Sequence, residues 1–127
     1  MKSKEIAATV LLSAMIIASA INVACINRLC ADMSELVEKA TDAAGQNNWD
    51  SAESLSDSAM TLWERKDSYT HVVLRHSEID ILSDALFDFY AAVREKNGGQ
   101  SSAAAKKVQY HIESISRMEM PSFGSVF

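Results

Sequence analysis

The chain has 127 residues, of which 48% are hydrophobic, and its 17 acidic and 12 basic side chains give a formal net charge of -5. Only Lys2, Lys4, Glu5 and Arg28 carry charge before Ala31, so the rest of the chain has a net charge of -7. No basic stripe is left to meet phosphate groups, which excludes nucleic acid as the expected partner. The length allows one small domain beside a membrane anchor.

An apolar run without charged residues, Ile6 to Ile26, dominates the N-terminal part of the chain. A helix of this length, rising ~1.5 Å per residue, matches a hydrocarbon core roughly 30 Å thick. Lys2 and Lys4 precede the run, and the positive-inside rule then predicts a cytoplasmic N-terminus and an extracytoplasmic remainder. We therefore expect residues 1–30 to form a short cytoplasmic stub and an uncleaved, single-pass signal anchor in the cell membrane.

The same segment allows two alternatives to an uncleaved anchor. Ala18-Ser19-Ala20 is similar to the small-residue site of a cleaved signal peptide, although the apolar run exceeds the usual core of ~7–15 residues. Val23-Ala24-Cys25 is similar to the end of a lipoprotein signal, but Asn22 stands where a large apolar residue is expected. Cys25 is therefore a candidate lipidation site. A disulfide between Cys25 and Cys30 is not expected, because in a helix the two lie ~7.5 Å apart along the axis.

From Asp32 the pattern becomes amphipathic, and the anchor helix is expected to continue into this segment as one helix. The apolar residues that recur here at helical spacing are Met33, Leu36, Val37 and Ala40. Gly45 is predicted to end this first helix in a left-handed conformation, and the asparagines Asn47 and Asn48 are favoured caps for the next one. That second helix is predicted to start near Trp49. Its inner side is formed by Trp49, Ala52, Leu55, Ala59, Leu62 and Trp63.

The polar segment Arg65–Ser68 predicts a tight turn, followed by one long helix from Asp67 or Ser68 to about Asn97. A last helix is predicted to begin after Ser101 or Ser102, capped by serine, and to end at Pro121. The predicted inner residues of the long helix are Val73, His76, Ile79, Leu82 or Ser83, Leu86, Tyr90 and Val93, widened by Val72, Leu74, Phe87 and Phe89. Those of the last helix are Ala104 or Ala105, Val108, His111 or Ile112, Ile115 and Met118.

Short connections between these helices make neighbours antiparallel. The predicted fold is therefore all-α: an N-terminal transmembrane helix followed by a small antiparallel, up-and-down helical bundle. The bundle is assigned to residues 31–120, and residues 121–127 are assigned to a C-terminal tail.

Several of these residues carry a resemblance to a known family. The set is Trp49 with Ala52 and Leu55, then Trp63, then His76 to Asp80 including Ile79, and Glu119 before a short apolar tail. In these residues the chain resembles the small bacterial membrane-anchored proteins of domain of unknown function family 4363. The similarity spans about Trp49 to Phe127 and the leading hydrophobic helix. It implies an anchored helical domain, and no activity, cofactor or substrate comes with it.

The candidate chemistry rests on His76 and Asp80, which lie four residues apart on one helix face and could share a hydrogen bond or a metal. A carboxylate-bridged site in a bundle needs Glu-x-x-His pairs, and the sequence contains none. No metal or cofactor is therefore expected, and His76 is interpreted as a polar residue satisfied at a helix crossing.

Nucleophilic and phosphate-binding motifs are also missing from the sequence. No serine stands in a glycine-flanked elbow, and Gly98-Gly99 lacks the lysine of a phosphate loop. We expect a non-enzymatic structural or partner-binding module that meets another membrane protein or self-associates through its anchor. The alternative is an extracytoplasmic binding or enzymatic domain that uses His76, Asp80 and Glu78.

Overall fold

The computed structural model describes the backbone of residues 2–126, and the side chains of these residues except 72, 73 and 118–126. Every regular element in this part of the chain is a helix. The elements are α1 (Lys2–Gly45), α2 (Trp49–Arg65), α3 (Asp67–Val73), α4 (His76–Arg94) and α5 (Gly98–Val126). The predicted all-α fold class is confirmed.

The four long helices form a bundle with a square cross-section. Both α1 and α4 pack beside α2 and α5, so that α1 and α4 occupy opposite corners. Short connections make consecutive long helices antiparallel, which confirms the up-and-down arrangement. The largest fully buried side chains of the core are Ile26, Met33, Val37, Leu82, Leu86, Phe89, Val93 and Val108.

Helix α1 continues from the apolar run into the bundle without a break. Large apolar residues from Ile6 to Ile21 are exposed, whereas Ile26 is only 1% exposed and lies in the core. Packing thus begins before residue 31, the predicted start of the bundle. The physical reason is periodicity, because Ile26 and Met33 are seven residues apart and share one face of the helix.

The turn after α1 is built on a left-handed asparagine. Asn47 has φ 60°, its N–H donates to Ala44 O (3.0 Å), and the N–H of Asn48 donates to Ala43 O (2.8 Å). These two bonds define a Schellman motif, which satisfies carbonyls at the end of the helix. Gly45, predicted to be left-handed, instead lies within α1 and has no positive φ. Asparagine tolerates this conformation better than most residues, so it can replace glycine here.

The turn between α4 and α5 repeats the same motif with a less suitable residue. Lys96 has φ 56°, its N–H donates to Val93 O (3.0 Å), and the N–H of Asn97 donates to Ala92 O (3.0 Å). A lysine in the left-handed region carries a steric cost of roughly 1–2 kcal/mol, because its Cβ crowds the backbone.

Both turns end in an asparagine that caps the next helix. Asn48 Oδ1 accepts from the N–H of Ser51 (3.4 Å), as the sequence predicted, and Asn97 Oδ1 accepts from the N–H of Gln100 (3.1 Å). Helix α5 therefore starts directly after Asn97, and the predicted start after Ser101 or Ser102 is wrong. The side-chain amide oxygen satisfies an open backbone donor that a serine was expected to satisfy later.

The predicted long helix from Asp67 to about Asn97 is also wrong, because the chain breaks within it. Leu74 (φ -109°, ψ 157°) and Arg75 (φ -68°, ψ 142°) are extended, and they separate α3 from α4. Lys66 is the single residue between α2 and α3. The predicted tight turn at 65–68 is therefore an interruption of one residue, and the extended break in the predicted helix lies at Leu74–Arg75.

Helix α5 runs past Pro121, where the sequence predicted its end. Proline removes one backbone donor but has a φ that fits a helix, so a helix can continue past it with a lost hydrogen bond. The side chains of the predicted tail (121–127), of Met118 and Glu119, and of Val72 and Val73 lie outside the described residues.

Candidate functional site

The apolar residues of the family resemblance belong to the core of the bundle, where Trp63 joins α2 to α4. Trp63 is 8% exposed, and its Nε1–H donates to Ser83 Oγ on α4 at 2.8 Å. Ile79 is buried in the same cluster, while Trp49 and Leu55 are partly buried against it. The structure thus brings Trp63 and Ile79 into the core and leaves Trp49 and Leu55 at its edge.

The polar residues of the same set lie elsewhere, on the surface. His76 and Asp80 are both exposed, and the ring of His76 meets the ring of His71 edge to face at 5.3 Å. His71 Nδ1 lies 3.2 Å from Asp67 Oδ1. His76 was predicted on the inner side of a continuous helix, but the break at Leu74–Arg75 makes it the first residue of α4. Among the described residues, no group of three or more His, Cys, Asp or Glu side chains is placed to hold a metal ion.

Two asparagines, Asn22 inside the apolar run and Asn27 directly after it, point toward the bundle. Tyr69 Oη donates to Asn22 Oδ1 (3.1 Å), and Ser116 Oγ donates to Asn27 Oδ1 (3.0 Å). The first bond joins α1 to α3 and the second joins α1 to α5. The sequence contained a signal for the contact of Asn22, because an amide side chain within an apolar run needs a polar partner.

The two cysteines lie at the start of the same packed region. Cys25, the candidate lipidation site, is exposed, and Cys30 is buried. They therefore face different sides of α1.

A reciprocal pair of hydrogen bonds fixes the register of α1 against α5. Ser34 Oγ donates to Gln109 Oε1 at 2.6 Å, and Gln109 Nε2 donates to the backbone oxygen of Ser34 at 3.0 Å. Sequence reasoning could not find this pair, because its partners are 75 residues apart and each is polar on a helix that has many polar residues.

An open groove runs along the surface between α4 and α5, and we call it the α4/α5 groove. Four alanines line it together with charged side chains, one glutamine and one tyrosine. The lining residues are Asp88, Ala91, Ala92, Glu95, Gln100, Ala103, Ala104, Lys106, Lys107 and Tyr110. Acidic residues stand on the α4 side and lysines on the α5 side.

Among the bundle side chains that the structure describes, three large apolar ones are exposed: Ile81, Phe87 and Tyr110. Phe87 is 61% exposed, although the sequence placed it on the inner side of the long helix. Tyr110 is 63% exposed at the border of the α4/α5 groove.

These features define a class of protein: a small antiparallel helical bundle whose first helix extends into an exposed apolar segment. In the described part of the chain, α1 is the one helix long and apolar enough to cross a membrane. The family model for Domain of unknown function (DUF4363) matches residues 20–126, and the chain belongs to this family, as the resemblance predicted. No curated protein and no solved structure matches the chain.

Proposed function

We propose that this protein is a membrane-anchored, non-enzymatic module whose bundle binds a protein partner beside the bilayer. The observation that carries the proposal is the continuity of α1. One helix contributes an exposed apolar segment up to Ile21 and a buried core face from Ile26 onward. A bundle joined in this way stands at a fixed height and orientation next to whatever holds the apolar segment.

A bilayer is the environment that suits the exposed segment. Its large exposed residues are Ile6, Val10, Leu11, Leu12, Met15, Ile16, Ile17 and Ile21. Exposure of apolar area to water costs about 25 cal/mol per Å², and soluble monomers rarely expose an apolar patch above a few hundred Å². Insertion into hydrocarbon removes this cost, and the charged N-terminal residues Lys2 and Lys4 would remain at the cytoplasmic surface.

The hydrogen bond between Tyr69 and Asn22 supports an anchor that is not cleaved before Cys25. Removal of the residues before Cys25 would delete Asn22 and leave the Tyr69 hydroxyl without this partner. Cleavage after Ala20 would keep Asn22 and the bundle contacts. This hydrogen bond therefore does not distinguish that cleaved form from an uncleaved anchor.

Intact mass spectrometry of the membrane-extracted protein separates these forms. We expect the complete chain of 13.9 kDa. A mature chain that starts at Ile21, or one that starts at Cys25 with a lipid adduct, would overturn the uncleaved anchor.

The proposed topology has a matched pair of probes in the chain. Ser54 lies exposed on α2, and Ser3 precedes the apolar run. In a Cys25→Ala background, Ser54→Cys should react with a membrane-impermeant maleimide on intact cells, and Ser3→Cys should react only after permeabilisation. The reverse pattern would place the bundle in the cytoplasm.

The non-enzymatic part of the proposal is tested by His76→Asn combined with Asp80→Asn. Because both side chains are exposed, the double variant should fold and accumulate normally. We expect the double variant to complement a deletion strain fully, so that the strain regains the wild-type phenotype. Normal abundance with complete loss of function would favour catalysis or metal binding by these two residues.

A further inference from the structure

The α4/α5 groove divides its charges between its two borders. Asp88 and Glu95 belong to α4, whereas Lys106 and Lys107 belong to α5. The four ion pairs among residues with described side chains are Glu35–Lys39, Asp67–His71, Glu53–Arg94 and Glu113–Arg117, so these groove residues take part in none of them.

One pair of opposite charges, Asp88 and Lys107, lies at matching heights along the bundle. Asp88 precedes Glu95 by seven residues, and Lys107 follows Gln100 by seven residues. Glu95 and Gln100 flank the turn between α4 and α5, so Asp88 and Lys107 both lie about 10 Å from that turn along the helix axes.

We propose that the α4/α5 groove is the docking surface for a second copy of this chain. The two copies would be related by a two-fold axis parallel to the long axis of the bundle. This inference rests on the proposed membrane anchoring, because two chains anchored in one bilayer by α1 stand parallel to each other. A closed two-fold interface presents the same patch from both copies.

The direction of the axis decides which charges meet. Rotation about an axis parallel to the helices sets α4 of one copy against α5 of the other at equal height, so Asp88 faces the second copy's Lys107 twice. Rotation about a perpendicular axis would invert one copy and set α4 against α4, with acidic residues opposing each other. The orientation that anchoring imposes is therefore the one that gives complementary charge.

The residues that line the groove suit a close contact. Alanines leave room for a neighbouring helix to approach, because the distance between packed helices depends on the side chains between them. Tyr110 adds an exposed aromatic ring, a residue type enriched in protein interfaces. The apolar segments of the two copies need not touch, since α1 lies at the corner opposite α4.

The test uses the full chain in phosphatidylcholine vesicles. Equal amounts of ¹⁵N-labelled and unlabelled protein are mixed before reconstitution, floated with the vesicles and treated with a zero-length carbodiimide. This reagent joins a carboxylate to an amine only where the two are in contact. We expect a cross-linked dimer whose Asp88–Lys107 peptides combine labelled and unlabelled halves, which proves that the link is between chains.

Charge reversal identifies the surface. Because Lys107→Glu also removes the amine that the carbodiimide joins, the dimer yield of the variants is measured by energy transfer between donor- and acceptor-labelled chains in the same vesicles. Lys107→Glu should lower this dimer yield about tenfold, because it turns two attractive contacts into two repulsive ones. The double variant Asp88→Lys with Lys107→Glu should restore the dimer. Lys39→Glu makes the same charge change on α1 outside the groove and should leave the yield unchanged.

The outcomes separate this inference from the proposed function. A floated chain that stays monomeric overturns the docking surface alone. A dimer that is insensitive to Lys107→Glu, or that the double variant fails to restore, also overturns it and favours self-association through the apolar segment. A chain that does not float overturns the membrane-anchored role and, with it, the parallel orientation on which the docking depends.

Discussion

Replacement of Trp63 by alanine tests whether the α2–α4 contact holds the bundle together. Trp63 is 8% exposed, and its indole N–H reaches Ser83 on the neighbouring helix. Large aromatic-to-alanine changes in a core cost about 3–5 kcal/mol, against a total stability of roughly 5–15 kcal/mol for a domain. Trp63→Ala should therefore remove between a fifth and nearly all of the free energy of unfolding.

The assay is urea unfolding of the full chain in detergent micelles, followed by far-ultraviolet circular dichroism and linear extrapolation. Trp63→Phe separates the two contributions, because it keeps most of the buried area and deletes the hydrogen-bond donor. Its expected cost from the lost bond is about 1 kcal/mol. Phe87→Ala is the control: Phe87 is also aromatic but 61% exposed, so the change should stay within about 0.5 kcal/mol.

A loss for Trp63→Ala no larger than that for Phe87→Ala would refute the packing argument. It would mean that Trp63 lies at the surface, where it could serve a partner instead of the core.

Three further changes can be measured by the same unfolding assay. Lys96→Gly should stabilise the bundle by about 0.5–1 kcal/mol, because glycine adopts φ 56° without a Cβ clash; an unchanged or lower midpoint would contradict the left-handed turn. Asn97→Ala should destabilise it by about 1 kcal/mol through loss of the cap of α5, and a neutral effect would contradict that cap. Tyr69→Phe should cost about 1 kcal/mol by deleting the bond to Asn22, whereas the exposed Tyr110→Phe should be neutral.

The helical core could be predicted from the sequence because burial recurs with the period of the helix. Met33, Val37, Trp63 and Val108 were all expected on inner faces, and all are buried. The spacing of apolar residues predicts burial less well at the edge of the inner face of a helix. Leu86 and its neighbour Phe87 point about 100° apart, and only the position of the neighbouring helices decides which of the two is buried.

Neither the helix break nor the groove could be predicted from the sequence, and the reason differs from the one that applies to Phe87. Neither Leu74 nor Arg75 is a glycine, a proline or a capping residue that would mark a boundary in the sequence, and yet both are extended between α3 and α4. Asp88 and Lys107 look like ordinary solvent-exposed charges in the sequence. They border one groove only because the turn at Lys96 folds α5 back along α4.

The unbroken course of α1 sets a rotational phase between the apolar segment and the bundle. Each helical residue turns the chain by about 100° and advances it by ~1.5 Å. One alanine inserted between Ile21 and Asn22 would therefore turn the bundle about the axis of α1 by more than a quarter of a circle. It would move the bundle away from the membrane by only ~1.5 Å. An insertion of seven residues would return the bundle to within about 20° of its original orientation about that axis. The bundle would then stand roughly 10 Å farther from the membrane. The number of residues in α1 thus decides which face of the bundle points toward a neighbour in the bilayer.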